Sequence, residues 1–221
     1  MYLILVIFTV AMTLLVQQWL KSTYSRWSQV ANTAGLSGVQ VARAILDANG
    51  LHEVNVEPVK GVLSDHYDPM KNTVRLSEGN YSKNSVAAMA VAAHEVGHAI
   101  QHAQAYAPLK WRTTLVPAAS FGGNLGPYMV MFGLFLGLTN LAIVGIVLFA
   151  AAVLFQVVTL PIEYDASNRA MQQLESLGLV TPGDSGGSRQ VLNAAALTYV
   201  AGLATSVLYL LYFISMFAGR D

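Results

Sequence analysis

The sequence predicts a mainly α-helical integral membrane protein with one polar domain. Of its 221 residues, 54% are hydrophobic and only 11% are charged, whereas a soluble domain has roughly 25% charged residues. Long uncharged segments alternate with polar ones along the chain. The polar sequence contains an alanine-rich stretch typical of a helix and, at residues 73–76, a short segment after a turn that is typical of a strand. We therefore expect membrane-spanning helices and a polar domain with a helix and a short β-hairpin or strand.

Four apolar segments are long enough to cross a bilayer. Residues 1–20 contain no charge, and at about 1.5 Å per residue they match a hydrocarbon core of about 30 Å. They lack a basic n-region and a small-residue cleavage site, so we interpret them as a retained transmembrane anchor. Residues 113–162 contain no Lys, Arg, Asp or Glu and predict a two-helix transmembrane hairpin that turns at 137–140. Residues 191–219 predict the last transmembrane helix; three crossings replace four if the start of the hairpin lies at the interface.

Two polar segments remain, residues 21–112 and residues 163–190. Because two crossings separate them, we expect both on one side of the membrane. Basic residues near span ends favour the cytoplasmic side, and those flanking this side are Lys21, Arg26, Lys110 and Arg112. The other side offers only Arg220 and the amino terminus. The sequence therefore predicts a multi-pass protein of the inner (plasma) membrane with its polar segments in the cytoplasm.

The composition limits the chemistry that the chain can perform. It has no cysteine, which excludes disulfides, thiolate metal sites and cysteine nucleophiles. Its formal net charge is zero, and without a basic run we expect no nucleic-acid partner. Any bound metal must be held by His, Asp or Glu. The Gly-rich segment 181–188 predicts a flexible loop.

The segment AAHEVGHAIQH, residues 92–102, lies in the alanine-rich stretch. Ser82 or Ser85 is expected to cap this helix and Pro108 to end it. On such a helix His94 and His98 are one turn apart on one face, with Glu95 beside them. This is the H-E-x-x-H arrangement, in which two His bind zinc and the Glu is the general base.

His102 continues the same spacing, but we do not expect it to bind the same ion. On a continuous helix it lies about 12 Å along the axis from His94, too far for both imidazoles to reach one metal at about 2.1 Å. A third His serves where a glycine breaks the helix after the second His. Here the intervening residues are Ala99, Ile100 and Gln101.

A catalytic zinc takes a third protein ligand. His52, His66 and the acidic residues are the candidates, and Glu163 is the most suggestive. It is the first charged residue after the apolar segment 113–162, at the cytoplasmic end of a span, and it is expected to open a helix over 163–177. The residues alone leave the other candidates open.

HEVGH, followed after a membrane hairpin by EYDAS, resembles the bacterial neutral zinc metallopeptidases, membrane enzymes of gluzincin type. The resemblance extends over nearly the whole chain, through DHYDPMKNTVRLSEGNYSKNSVAAMAVAAHEVGHAIQH, LPIEYDASNRA and VLNAAALTYVAG. It implies a gluzincin-like metallopeptidase domain at 21–112 and a third-ligand helix and loop at 163–190. It further implies that His94, His98 and Glu163 bind Zn²⁺ and that Glu95 is the catalytic acid/base.

The chain is distantly similar to HtpX and the CAAX prenyl proteases, which have an Asp four residues after the third ligand. That Asp orients a zinc-bound His. This sequence has Ser167 at that place, with Asp165 and Asn168 nearby at other helical angles. The gluzincin resemblance also implies that the strand at 73–76 lines the cleft and pairs with extended substrate.

The predicted function is a membrane-embedded zinc endopeptidase that acts near the membrane surface on protein or peptide substrates, themselves membrane-associated. The candidate donors to the developing oxyanion are Tyr164, Arg169, His66 and Tyr67. The alternative is a catalytically silent zinc-binding membrane scaffold or adaptor, which would not need Glu95. A transporter or channel is disfavoured because the polar residues inside the spans are uncharged and sparse.

Overall fold

The computed structural model describes residues 2–219. Met1 of the predicted anchor and Arg220 of the orientation argument lie outside the described residues. The structure is mainly helical, as predicted, with one small sheet. Its elements are α1 Tyr2–Trp27, α2 Gly38–Ala48, β1 Asn55–Val59, β2 His66–Asp68, β3 Thr73–Ser77, α3 Glu78–Ser82, α4 Val86–Ala103, α5 Ala107–Leu136, α6 Thr139–Ser176 and α7 Pro182–Ala218.

Three helices of the described chain, α1, α6 and α7, are long and apolar enough to cross a membrane. The helix α5 is not among them; its sequence includes Pro117 and Pro127. The turn predicted at 137–140 is confirmed, since α5 ends at Leu136 and Gly137 adopts a φ of 71°. This left-handed conformation favours glycine.

The chain divides into two compact units. The membrane unit comprises residues 2–16, 107–161 and 198–219 of the described chain, and the polar unit comprises Gln17–Tyr106 and Ile162–Leu197. In the membrane unit α5 and α6 pack backbone to backbone. A Cβ on Gly122 would lie 1.8 Å from the Leu148 carbonyl oxygen, so only glycine permits this approach.

The polar unit is built around α4, whose residues are mostly buried. Ser85 caps α4, because its hydroxyl accepts the backbone N–H of Ala88 at 3.1 Å. The three strands lie in the order β1-β3-β2, with β3 parallel to β1 and antiparallel to β2. The predicted strand is thus the central one, and the expectation that it pairs with extended substrate is wrong, because β1 and β2 pair with its two edges. Side chains from α2, β3, α4 and α6 form the core and include Ile45, Leu76, Met89 and Leu174.

Two predicted boundaries in the polar sequence are wrong. Pro108 does not end the motif helix; α4 ends at Ala103, after which Ala105 takes a φ of 51°. Pro108 instead lies in the first turn of α5, where a missing N–H costs nothing. Likewise Glu163 does not open a helix, because α6 runs unbroken from Thr139 to Ser176. A change from apolar to polar residues alters the surroundings of a helix but not its backbone hydrogen bonds.

The flexible loop predicted at 181–188 is also wrong, since these residues lie mostly in the first turns of α7. The Asp184 carboxylate accepts the backbone N–H of Thr33 at 3.0 Å. A Cβ on Gly187 would lie 2.7 Å from the Trp27 ring. The glycines that suggested a loop instead allow the helix to approach its neighbour closely.

Candidate metal centre

Three predicted metal ligands come together in the polar unit. His94 and His98 project from α4 and Glu163 from α6, and one ligand atom of each lies within 4.8 Å of the others. Glu163 Oε2 is 3.4 Å from His94 Nε2 and 3.5 Å from His98 Nε2. The two imidazole rings are nearly perpendicular, at 83°. Within residues 2–219 this is the only group of at least three such side chains close enough to hold one ion.

These distances suit a cation with tetrahedral coordination. Ligand atoms about 2.1 Å from zinc at tetrahedral angles lie about 3.4 Å apart, close to both separations from Glu163 Oε2. That oxygen is buried and has no hydrogen-bond partner in the described chain. A buried carboxylate oxygen without a partner carries a large desolvation cost, which a bound cation would offset. The group therefore fits a metal ion.

Gly97, between the two histidines, sets the distance between α4 and α6. A Cβ at this position would lie 2.6 Å from the Ala166 carbonyl oxygen. Real Cβ atoms do not approach an oxygen so closely, so any other residue would push α6 away. The variable positions of the H-E-x-x-H pattern gave no reason to single out this glycine. Its contact with α6 brings Glu163 to the histidines.

Behind His98 lies Gln101, which is fully buried and which the sequence reasoning did not identify as functional. Its Nε2 donates two hydrogen bonds of 2.8 Å, to the Ile162 carbonyl and to Asp165 Oδ2. Its Oε1 lies 3.0 Å from His98 Nδ1. A flipped amide would set its oxygen against two acceptors. Nδ1 of His98 must therefore donate, which leaves Nε2 with the lone pair facing Glu163.

Asp165 is itself held in place. Its Oδ2 accepts a hydrogen bond from Arg169 Nε one turn along α6. Arg169 Nη1 also donates to Gln104 Oε1 at 2.6 Å, and its guanidinium lies over the Tyr106 ring at 5.7 Å. A series of polar and charged contacts thus extends from His98 through Gln101 to the surface.

The surroundings of His94 are simpler. Its Nδ1 lies 3.2 Å from the Ser167 hydroxyl, the one side-chain hydrogen bond recorded for this ring within the described residues. Ser167 occupies the place where related families carry an Asp. The predicted position thus does contact a histidine of the cluster, but through a neutral hydroxyl. Asp165, at another helical angle, reaches the other histidine through Gln101.

Glu95 is buried on α4, with 8% of its surface exposed. Burial raises the pKa of its carboxyl, while the adjacent His94 and His98 oppose this rise. A group with a raised pKa holds a proton more readily than a free Glu does. Its position beside the cluster suits proton transfer.

The remaining histidines have other partners. His52 pairs with Asp47 at 3.1 Å, and His66 Nδ1 lies 2.8 Å from the Ser64 carbonyl. As predicted, His102 is outside the cluster; its Nδ1 is 2.8 Å from the Tyr67 hydroxyl.

The four candidate oxyanion donors differ in their hydrogen-bond partners and in their exposure. The Arg169 guanidinium and the Tyr67 hydroxyl are engaged in the contacts given above, and Tyr67 also donates to Asn72 at 2.9 Å. His66 is exposed, and Tyr164 has 44% of its surface exposed. No recorded hydrogen bond joins any of them to the cluster of His94, His98 and Glu163 across residues 2–219.

Comparison with known proteins identifies relatives of the chain. A family model described as "Putative neutral zinc metallopeptidase" matches residues 2–218. The chain is also 44% identical over 222 residues to the "Putative membrane protease YugP" of Bacillus subtilis (strain 168), an alignment that covers 100% of this chain and 99% of that protein. No solved structure matches.

Proposed function

Because the chain belongs to the neutral zinc metallopeptidase family, we propose that it is a membrane-embedded endopeptidase in which His94, His98 and Glu163 hold the zinc. Zinc is the cofactor of this family. The observation that carries the proposal is the buried Glu163 oxygen, at 3.4 Å and 3.5 Å from two imidazole nitrogens and without a hydrogen-bond partner in the described chain.

A zinc ion held by His94, His98 and Glu163 would supply Lewis-acid chemistry: it would polarise a peptide carbonyl and lower the pKa of a coordinated water to about 7. Glu95 takes the proton from the attacking water and passes it to the leaving amine. Its place on α4 next to His94, buried with 8% of its surface exposed, supports this role. Gln101 and Ser167 hold the imidazoles with Nε2 facing Glu163.

The substitution Glu95→Gln tests the proposal, since it keeps the shape of the side chain and removes the base. We expect purified Glu95→Gln protein to retain about one zinc per chain and to lose about 10²- to 10⁴-fold in cleavage of unfolded casein. Metal analysis and a fluorescent peptide-release assay measure the two quantities. Undiminished cleavage would overturn the role of Glu95. An inert wild-type protein with full zinc would favour the scaffold or adaptor reading.

We propose that the site lies close to the membrane surface. A relative named as a membrane protease and three long apolar helices associate the protein with a membrane. Glu163 is the first charged residue of α6 and directly follows the uncharged, apolar part of this helix. Such a location favours membrane-associated proteins or peptides as substrates.

The proposed orientation places the site in the cytoplasm, with α5 crossing the bilayer beside α6. Tight glycine contacts between these two helices support the second crossing, and the basic span ends support the orientation. Met70 is 92% exposed, and the chain has no cysteine, so Met70→Cys gives a single reporter. An impermeant maleimide should label it only after cells are opened. Labelling of intact cells would reverse the orientation.

A further inference from the structure

A cavity of about 550 Å³ lies in the polar unit, away from the metal cluster. One wall is a face of α1 that carries Lys21, Tyr24 and Ser25. The lining also includes Val62 and Leu63, from the loop between β1 and β2, and Lys83, directly after α3. The volume is in the range of small-molecule sites.

The cavity is positively charged. Lys21 and Lys83 are both exposed, and neither has an acidic partner within 4.0 Å in the described chain, whose ion pairs all involve other residues. No Asp or Glu lines the walls. The Ser25 hydroxyl is exposed and makes no recorded hydrogen bond within residues 2–219. Two unpaired ammonium groups and a free hydroxyl are suited to a phosphate.

The position of α1 places this cavity at the membrane surface. The helix is uncharged from Tyr2 to Leu20, and 19 residues at about 1.5 Å each span most of a hydrocarbon core of about 30 Å. Lys21 is the next residue, and Trp19 before it is 46% exposed, as in the aromatic belts at bilayer interfaces. A ligand held by Lys21 therefore lies at head-group depth.

The facing loop has an apolar tip. Val62 is 80% exposed and Leu63 is 39% exposed, and Leu63 takes a φ of 55°, which is uncommon for a bulky residue. Exposed apolar side chains next to unpaired lysines match a ligand with an anionic head and an apolar body. A free phosphate would not use them.

We propose that this cavity binds the head group of an anionic phospholipid, with its phosphate between Lys21 and Lys83 and its acyl chains beside Val62 and Leu63. The site does not involve the zinc ligands, so it holds whether or not the chain is a peptidase. A bound lipid would anchor the β1–β2 loop to the end of α1.

Native mass spectrometry of the full chain in dodecyl maltoside tests the proposal, with phosphatidylglycerol, phosphatidylcholine or inorganic phosphate added to delipidated protein. We expect one tightly retained phosphatidylglycerol per chain, weaker phosphatidylcholine, and no displacement of the lipid by inorganic phosphate. The double variant Lys21→Gln/Lys83→Gln should bind phosphatidylglycerol at least about tenfold more weakly. The variant Lys21→Arg/Lys83→Arg should retain it, because charge and donors remain.

The matched control removes two other exposed lysines, in Lys71→Gln/Lys110→Gln. Because these side chains do not line the cavity, the control should keep its affinity to within about twofold. Equal losses in the two glutamine pairs would show diffuse attraction by charge and overturn the proposal. Full binding by Lys21→Gln/Lys83→Gln, or displacement by inorganic phosphate, would overturn it as well.

Discussion

His94 and His98 lie on successive turns of one helix and face the same carboxylate oxygen. The groups behind their rings nevertheless differ. The His98 ring is backed by a fully buried amide, a carboxylate and a guanidinium, through Gln101, Asp165 and Arg169. The His94 ring has the single hydroxyl of Ser167. An amide whose two donors are both engaged has one possible orientation, whereas a hydroxyl can rotate. His98 is thus the more rigidly positioned of the two proposed histidine ligands.

The difference shows how α6 contributes to the site. Besides Glu163, this helix supplies the Ile162 carbonyl and Asp165 to Gln101, and Ser167 to His94. All lie within six consecutive residues. A single helix therefore provides one proposed ligand and supports the two others, and Gly97 allows it to come close enough.

The largest effect is expected when a proposed ligand is removed, and the loss of zinc should then be equal for His94 and His98. Each of His94→Ala, His98→Ala and Glu163→Ala should leave less than about 0.1 zinc per chain, because two protein ligands hold zinc poorly. Plasma mass spectrometry after gel filtration measures the content. His102→Ala is the control and should keep its zinc; loss of zinc in this variant would add a ligand that the geometry excludes.

The next-largest effect on zinc affinity should distinguish the support of His98 from that of His94. Gln101→Leu removes the acceptor of His98 and leaves the Ile162 carbonyl without its side-chain donor, so zinc affinity should fall by about 10- to 100-fold. Competition with a fluorescent chelator measures it on folded protein, as judged by circular dichroism. If Gln101→Leu had the same zinc affinity as Ser167→Ala, the two histidines would be supported equally, against this expectation.

A smaller loss of zinc affinity is expected at Asp165, which reaches His98 only through Gln101. Asp165→Asn keeps the size of the side chain but loses the charge that Gln101 and Arg169 share. Zinc affinity should fall by about three- to tenfold, the value of one hydrogen bond. The same chelator competition applies, and a loss larger than that of Gln101→Leu would mean that Asp165 acts by another route.

The smallest effect is expected at His94. Ser167→Ala removes one neutral hydrogen bond and should change zinc affinity by no more than about threefold. Ser167→Asp should instead raise the affinity, because a carboxylate accepts from Nδ1 more strongly than a hydroxyl does. An unchanged or weaker affinity in Ser167→Asp would show that His94 does not use this contact for zinc binding.

The sequence predicted the parts of the fold and site that local patterns determine. The helical class, the strand at Thr73–Ser77, the turn at Gly137 and the convergence of Glu163 with His94 and His98 all followed from composition, spacing or resemblance. The site assignments themselves remain predictions. His102 was excluded by helix geometry alone, and it lies outside the cluster.

The features that were missed depend on contacts between distant segments. Gln101 is an ordinary helix residue until α6 packs against it, and Gly97 gains its importance only from the Ala166 carbonyl. The glycines at 186 and 187 suggested a loop because glycine is flexible, but close packing uses the same residue type. The only signal that the sequence offered for Gln101 was its position one turn after His98 on the same helix.

X-ray absorption at the zinc K edge of the purified full chain tests the proposed coordination. We predict two imidazole nitrogens and oxygen ligands, all at about 2.0–2.1 Å, with a spectrum that is unchanged in His102→Ala. Three imidazoles, or full zinc content with an unchanged spectrum in Glu163→Ala, would contradict the proposed coordination by His94, His98 and Glu163.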